Sequence, residues 1–187
     1  MAETPAMHMT AGRGILDNYR ELLAKVDLFC RKVEEDFAAH LACRAGCDDC
    51  CRHISLFWVE AVALADALGD LPAGEAARIR ARAAGVSPDA PCPLLENGRC
   101  LLYAARPIIC RTHGLPLLTV RNGNRTVDFC PRNFLGIGSL PGSAVIDLDR
   151  LNTALAAINT LFVAQLFEDA PPAQERVSIA EALGIEP

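Results

Sequence analysis

The stretch Cys43-Arg44-Ala45-Gly46-Cys47-Asp48-Asp49-Cys50-Cys51 decides how the rest of this chain is read. It sets four cysteines within nine residues at the spacing C-x3-C-x2-C-C. A lone buried cysteine ordinarily acts as a small apolar side chain. Four so close together call instead for a shared chemical task, and the chemistry thiolates share is metal binding.

The rest of the chain sets the context for that task. Its 187 residues contain nine cysteines, an odd number that disfavours complete internal pairing. The opening residues MAETPAMHMT have no cationic start, no apolar run and an acid at Glu3, so they do not read as a secretory signal. This places the chain in the cytoplasm, where thiols stay reduced and clustered cysteines hold metal more often than they form disulfides. The apolar segment Leu151 to Phe167 is interrupted by Asn152, Thr153, Asn159, Thr160 and Gln165, too polar for a membrane span. A net charge of -5 gives no general attraction to nucleic acid or anionic lipid, so neither nucleic acid nor membrane is expected as a partner, and a protein partner stays open.

Upstream of the cluster, Leu22, Val26, Phe29, Val33 and Phe37 recur at three- and four-residue steps, predicting an amphipathic helix over residues 15–45. Gly46 would cap it, leaving Cys43 in the last turn and Cys47, Cys50 and Cys51 in the loop beyond. Cys30 falls on the apolar face with Val26 and Val33 and reads as core. Downstream, Ser55 would cap a second helix running to Leu68, and Asp70 with Pro72 would start a third ending near Gly85.

Past Val86 the texture changes, with Pro88, Pro91, Pro93, Pro107 and Pro116 among short apolar runs. Asn97-Gly98 between Cys92 and Cys100 signals a hairpin, and Asn122-Gly123 signals another from Leu117 to Phe129 that delivers Cys130. In the first hairpin a three-residue loop would bring Cys92 and Cys100 to one side, and a two-residue loop would set them on opposite sides. Leu148, Leu151, Leu155, Ile158, Phe162 and Leu166 predict a closing amphipathic helix over residues 147–168, and the tail from Pro171 is expected to add little. The fold class expected is mainly α with small β-hairpins, in one metal-binding domain over residues 1–187. Its irregular cysteine-rich core spans about 43–130, packed against the flanking amphipathic helices.

The candidate metal ligands are Cys43, Cys47, Cys50 and Cys51 in the first group and Cys92, Cys100, Cys110 and Cys130 in the second. Two sets of four suit one or two four-thiolate sites, and soft ligands select zinc, iron–sulfur clusters or cuprous ions over magnesium and calcium. Only Cys47 and Cys50 make a C-x2-C knuckle, so the pattern is a poor zinc ribbon. Three cysteines at C-x3-C-x2-C can hold three corners of a 4Fe–4S cube, with Cys51 or a later cysteine as the fourth. Adjacent Cys50 and Cys51 point in different directions in most backbones, so they serve different metals or one is a spare. His113, His40 and His53 are weaker ligand candidates, and Arg106 and Arg111 are candidate donors to sulfur or to an anion. Trp58 and Glu60 follow the cluster, Trp58 as core. No Ser-His-Asp order, glycine-rich phosphate loop or H-E-x-x-H helix is present.

In order, Cys43, Cys47, Cys50 and Cys51, then Cys92-Pro93-Leu94, Gly98-x-Cys100, Tyr103, Arg106-Pro107, Cys110-Arg111 and Cys130 resemble the YkgJ-type cysteine-cluster family. That family is described as zinc- or iron-chelating and is related to flagellin N-methylase. The resemblance covers residues 43–130 and implies eight metal-associated cysteines, with Cys30 outside the pattern. The family's opening motif is often C-x2-C-x2-C-C, and this chain has three residues in the first gap. It implies no reaction here, because no S-adenosylmethionine loop is found. The expected function is a redox, sensing or accessory module holding an iron–sulfur cluster. A structural zinc domain and a metal-dependent methyl-transfer enzyme or its accessory are the alternatives.

Overall fold

Why a helix that begins so regularly should stop well before the cysteines is answered by tertiary hydrogen bonds. A computed structural model describes residues 14–44, 46–87, 89–167 and 170–186. The reading of residues 1–10, the expected helix end at Ala45, Pro88 and the expected helix end at Glu168 lie outside the described residues. Helix α1 spans Asp17–Asp36 and buries Tyr19, Val26, Cys30 and Val33; of the predicted stripe, Val26 and Val33 are buried and Leu22, Phe29 and Phe37 are half-buried. It does not reach Cys43. A 3-10 turn follows at Ala38–His40, and Leu41 is extended. The His40 carbonyl accepts from the Phe134 N–H at 2.6 Å, and the Ala42 N–H donates to Asn133 Oδ1 at 2.9 Å. These bonds use backbone groups that a continuing helix would need for itself.

Strand β1 (Ser55–Phe57) leads into helix α2 (Trp58–Gly69). Ser55 is therefore a strand residue and not the expected cap. The helix starts at Trp58, where Glu60 Oε2 accepts the Phe57 N–H at 3.2 Å. Helix α3 (Ala73–Ala83) begins just after Pro72. The hairpin β2 (Leu95–Glu96) and β3 (Arg99–Cys100) pairs Leu95 with Cys100 and Glu96 with Arg99. Its loop is thus the two-residue kind, with Asn97 and Gly98 at φ 51° and 72°.

Helix α4 (Ile108–Thr112) is short, and β4 (Leu117–Arg121) pairs antiparallel with β5 (Asn124–Asp128) across Asn122-Gly123 as the sequence predicts. Strand β6 (Ile146–Asp147) adds to β4 in parallel and runs into helix α5 (Leu148–Phe167).

The tail is the largest departure from expectation. Strand β7 (Arg176–Ser178) pairs antiparallel with β1, Leu56 opposite Val177, and helix α6 (Ile179–Leu183) follows. Ser178 Oγ accepts the Glu181 N–H at 3.1 Å while Glu181 Oε2 accepts the Ser178 N–H at 2.7 Å, a capping box that starts the helix. Val177, Ile179, Ala182 and Leu183 are buried with Leu56, Leu64, Leu68, Ile79, Leu94 and Leu102 in one apolar cluster. A second cluster joins Tyr19, Val59, Val62, Ile108, Leu155 and Phe162, and a third joins Val26, Cys30, Val33, Leu115 and Phe134. The chain is mainly α with small β elements, and the cysteine-bearing loops lie between these clusters. Among the described residues no helix is long and apolar enough to cross a membrane.

Candidate metal centre

The loop carrying the first cysteines is a succession of tight turns. The Cys47 N–H donates to Arg44 O and the Cys51 N–H to Asp48 O, each at 2.9 Å, and the Arg52 N–H donates to Cys50 O at 3.0 Å. Gly46 sits at φ 93°, not as a helix cap but as the residue pressed on the β2–β3 hairpin. A Cβ placed on Gly98 would stand 3.2 Å from the Gly46 Cα, so two glycines let the loop and the hairpin touch backbone to backbone. The Cys92 N–H donates to Cys51 O at 3.3 Å, and Arg52 bridges to Pro91 beside it. Loop and hairpin are thereby joined at the cysteines themselves.

Two cavities open on either side of this junction. The first, about 410 Å³, is lined by Cys43, Cys47, Cys50 and Cys130 together with Asp49, Asp128 and Arg132. The second, about 630 Å³, is lined by Cys51, Cys92, Cys100 and Cys110 with apolar walls from Ile54, Leu94, Ile109 and Ile179. Cys50 and His113 line both. The grouping along the chain is therefore not the grouping in space. Cys51 leaves its neighbours for the later cysteines, and Cys130 joins the early ones. Cys92 and Cys100 share a cavity despite the two-residue loop, because Cys92 lies outside the short ladder. It sits in a turn closed by the Leu95 N–H to Cys92 O at 2.9 Å.

In the first group, Gly114 is the pivot. It is buried at φ 88°, and a Cβ there would lie 3.4 Å from both Cys43 Sγ and Cys130 Cβ. Asn133, fully buried, donates from Nδ2 to Gly114 O at 2.8 Å and to Cys43 Sγ at 3.3 Å, while its Oδ1 takes the Ala42 N–H. One amide thus orients a thiol and anchors the extended segment that carries it.

The second group depends on α4 for Cys110. Glu60, 3% exposed, accepts the Ile108 N–H at 3.1 Å and so holds the start of that helix. Burial pushes the Glu60 carboxyl above its usual range, against the two backbone donors that lower it. Arg111 donates from Nη1 to both Asp27 oxygens at 2.8 Å and from Nε to Arg106 O at 2.6 Å, tying α4 to α1. Arg106 lies over the Tyr103 ring at 3.7 Å and donates to Tyr103 O and Cys110 O. Arg111 bonds backbone carbonyls and the Asp27 carboxylate and Arg106 backbone carbonyls, so both fix the loop that carries Cys110.

Burial pushes the Cys110 thiol up to about 12 and the Cys51 thiol up to about 11, with neighbouring cysteines adding to the effect. Cys92, Cys100 and Cys50 are raised for the same first reason. Without a cation these sulfurs stay protonated near neutral pH, and a bound metal would displace their protons. Among the described residues no three His, Cys, Asp or Glu donors converge on one point as a single ion requires. His53 is excluded as a ligand, since its Nδ1 is 3.3 Å from Ser87 O and its Nε2 accepts the Ala180 N–H. His40 bonds Leu135 O through Nδ1, and His113 is exposed between the cavities. Asn133, Gly114, Glu60 and Asp27 carry no motif around them, and only the fold assembles them at the site.

Residues 42–131 fit the family model CxxCxxCC, described as "Putative zinc- or iron-chelating domain". No curated protein and no solved structure matches the chain.

Proposed function

Over residues 42–131 the chain carries a domain of the CxxCxxCC family, and from that premise we propose that it is a metal-binding module whose cysteine thiolates hold iron–sulfur clusters. The observation that carries this reading is that at least four cysteines line each cavity while, among the described residues, no three donors stand as one ion would need. A lone zinc takes four sulfurs at about 2.3 Å from one point. A polynuclear cluster takes one thiolate at each of several irons and suits donors spread about a space. The donor set fits such a cluster: thiols with the exposed His113 in the second cavity, and four thiols with His113, Asp49 and Asp128 in the first.

A bound cluster would supply one-electron redox chemistry. The protein's part is to position and shield. Asn133 offers an N–H to the Cys43 sulfur, and such bonds to cluster sulfurs shift reduction potential. The apolar wall of Ile54, Leu94, Ile109 and Ile179 keeps water from one side of the second cavity. With no other catalytic motif on the chain, the role that fits is electron transfer, sensing or service to a protein partner.

Iron and acid-labile sulfide analysis of anaerobically purified full-length protein tests the reading, together with its visible spectrum before and after dithionite. Iron and sulfide in comparable amounts, with a visible band that dithionite bleaches, are the expected result. Colourless protein with stoichiometric zinc and no sulfide would replace it with the structural zinc domain.

A further inference from the structure

We infer that the thiols form two separate four-thiolate centres, an outer one on Cys43, Cys47, Cys50 and Cys130 and an inner one on Cys51, Cys92, Cys100 and Cys110, parted at the Cys50–Cys51 peptide bond. This rests on the reading above that the thiols hold metal, and it fixes which of them act together.

The geometry carries the division. Each quartet lines its own cavity, and of the eight only Cys50 reaches the rim of both. The turn at Cys50 and Cys51, closed by the Cys51 N–H on Asp48 O and the Arg52 N–H on Cys50 O, places Cys51 on the inner cavity alone and leaves Cys50 at the rim the two cavities share. Cys51 is then held toward the inner set by its own carbonyl, which takes the Cys92 N–H. On the outer side Gly114 brings Cys43 and Cys130 together, which the chain separates by 87 positions. Each centre therefore takes cysteines from the first loop and from the later chain, and each ties the two halves independently.

The centres are also unlike in exposure. Cys43 and Cys50 are exposed and the outer cavity carries Asp49 and Asp128. All four inner cysteines are partly buried, and no acid lines their cavity. The outer centre should exchange metal quickly and the inner one slowly.

The test uses cadmium as probe on the reduced full-length protein, read by the ultraviolet sulfur-to-metal absorption and by native mass spectrometry. Binding has to draw the four sulfurs of each quartet onto one cadmium ion, and wild type should then saturate at about two equivalents. Cys47→Ser with Cys130→Ser, and separately Cys92→Ser with Cys100→Ser, should each halve the bound metal. A chelator should strip loaded wild type in two phases, and the fast phase should vanish in the outer variant alone. Saturation of wild type at one equivalent would overturn the division whether or not any variant folds, as would loss of all metal from either folded variant. The count of centres stands apart from iron against zinc: two cadmium equivalents on a protein that never holds iron sinks the cluster reading and leaves the division intact. No cadmium binding at all would sink both.

Discussion

Gly114 shows how much a single position decides. Its φ of 88° lies in the left-handed region, and it is packed against Asn133 Nδ2 at 3.2 Å and Cys43 Sγ at 3.4 Å from where a Cβ would stand. Gly114→Ala should cost about 1–3 kcal/mol from strain, with crowding added, and should lower metal content through Cys43 and Cys130. Gly123→Ala is the control. At φ 78° it bears comparable strain but meets nothing within 4 Å, so it should lose stability and keep its metal. Urea midpoints with metal analysis on both variants check this, and equal metal loss in the two would show that crowding at Gly114 is irrelevant. The cysteines themselves were legible from spacing, as was Cys30 as core. Gly114 and Asn133 were not, because their roles come from neighbours that lie far away along the chain.

The elements that carry the inner thiols titrate together. Helix α4, the β2–β3 hairpin and the turn before it place Cys110, Cys100, Cys92 and Cys51 where burial raises each thiol, to about 12 for Cys110 and about 11 for Cys51. In an unfolded chain these groups titrate near about 8.5. A folded-state pKa above the unfolded one means stability that is fully present below the unfolded value and is lost as pH rises through the folded one. Metal-free protein should therefore weaken as pH rises from about 8.5 toward 11–12. Loaded protein, its thiolates already deprotonated on metal, should stay level, and affinity for metal should climb over the same window. Urea midpoints of both forms between about pH 7 and about pH 10 check this, and parallel slopes would refute it. At this level α5 follows from periodicity, both hairpins from Asn-Gly turns and α3 from Pro72, while α2 is where the sequence expects a helix but starts at Trp58 and not after a Ser55 cap. The early end of α1 does not, since its stop is set by bonds from Asn133 and Phe134 to a segment whose own pattern continues as helix.

The fold as a whole closes through its tail. Strand β7 completes a ladder with β1, and Val177, Ile179 and Leu183 seat in the cluster around Leu56, Leu64 and Ile79. Trp58 Nε1 donates to Gln174 O at 2.8 Å, and His53 is clamped by Ala180. Deleting residues 171–187 should cost on the order of 5 kcal/mol, from three large apolar side chains at about 1.5–3 kcal/mol each. Circular dichroism and urea unfolding of the shortened chain check this, and a midpoint close to that of the full chain would show the tail to be dispensable. The signal was present as Ser178-Ile179-Ala180-Glu181, a capping-box spacing ahead of a short apolar run. Five helical residues are too few for periodicity to declare a face, so the packing had to reveal it.

Local chemistry explains where the line falls between pattern and packing. The thiolate ligand type, the mainly helical class and the hairpin turns follow from the residues in order, because each depends on neighbours a few positions apart. The pairing of Cys51 with Cys92, Cys100 and Cys110, and of Cys130 with Cys43, Cys47 and Cys50, belongs to the tertiary structure alone. Spacing along the chain does not say which distant cysteines each one meets, and the approach of Gly46 to Gly98 and of Gly114 to Cys43 settles it.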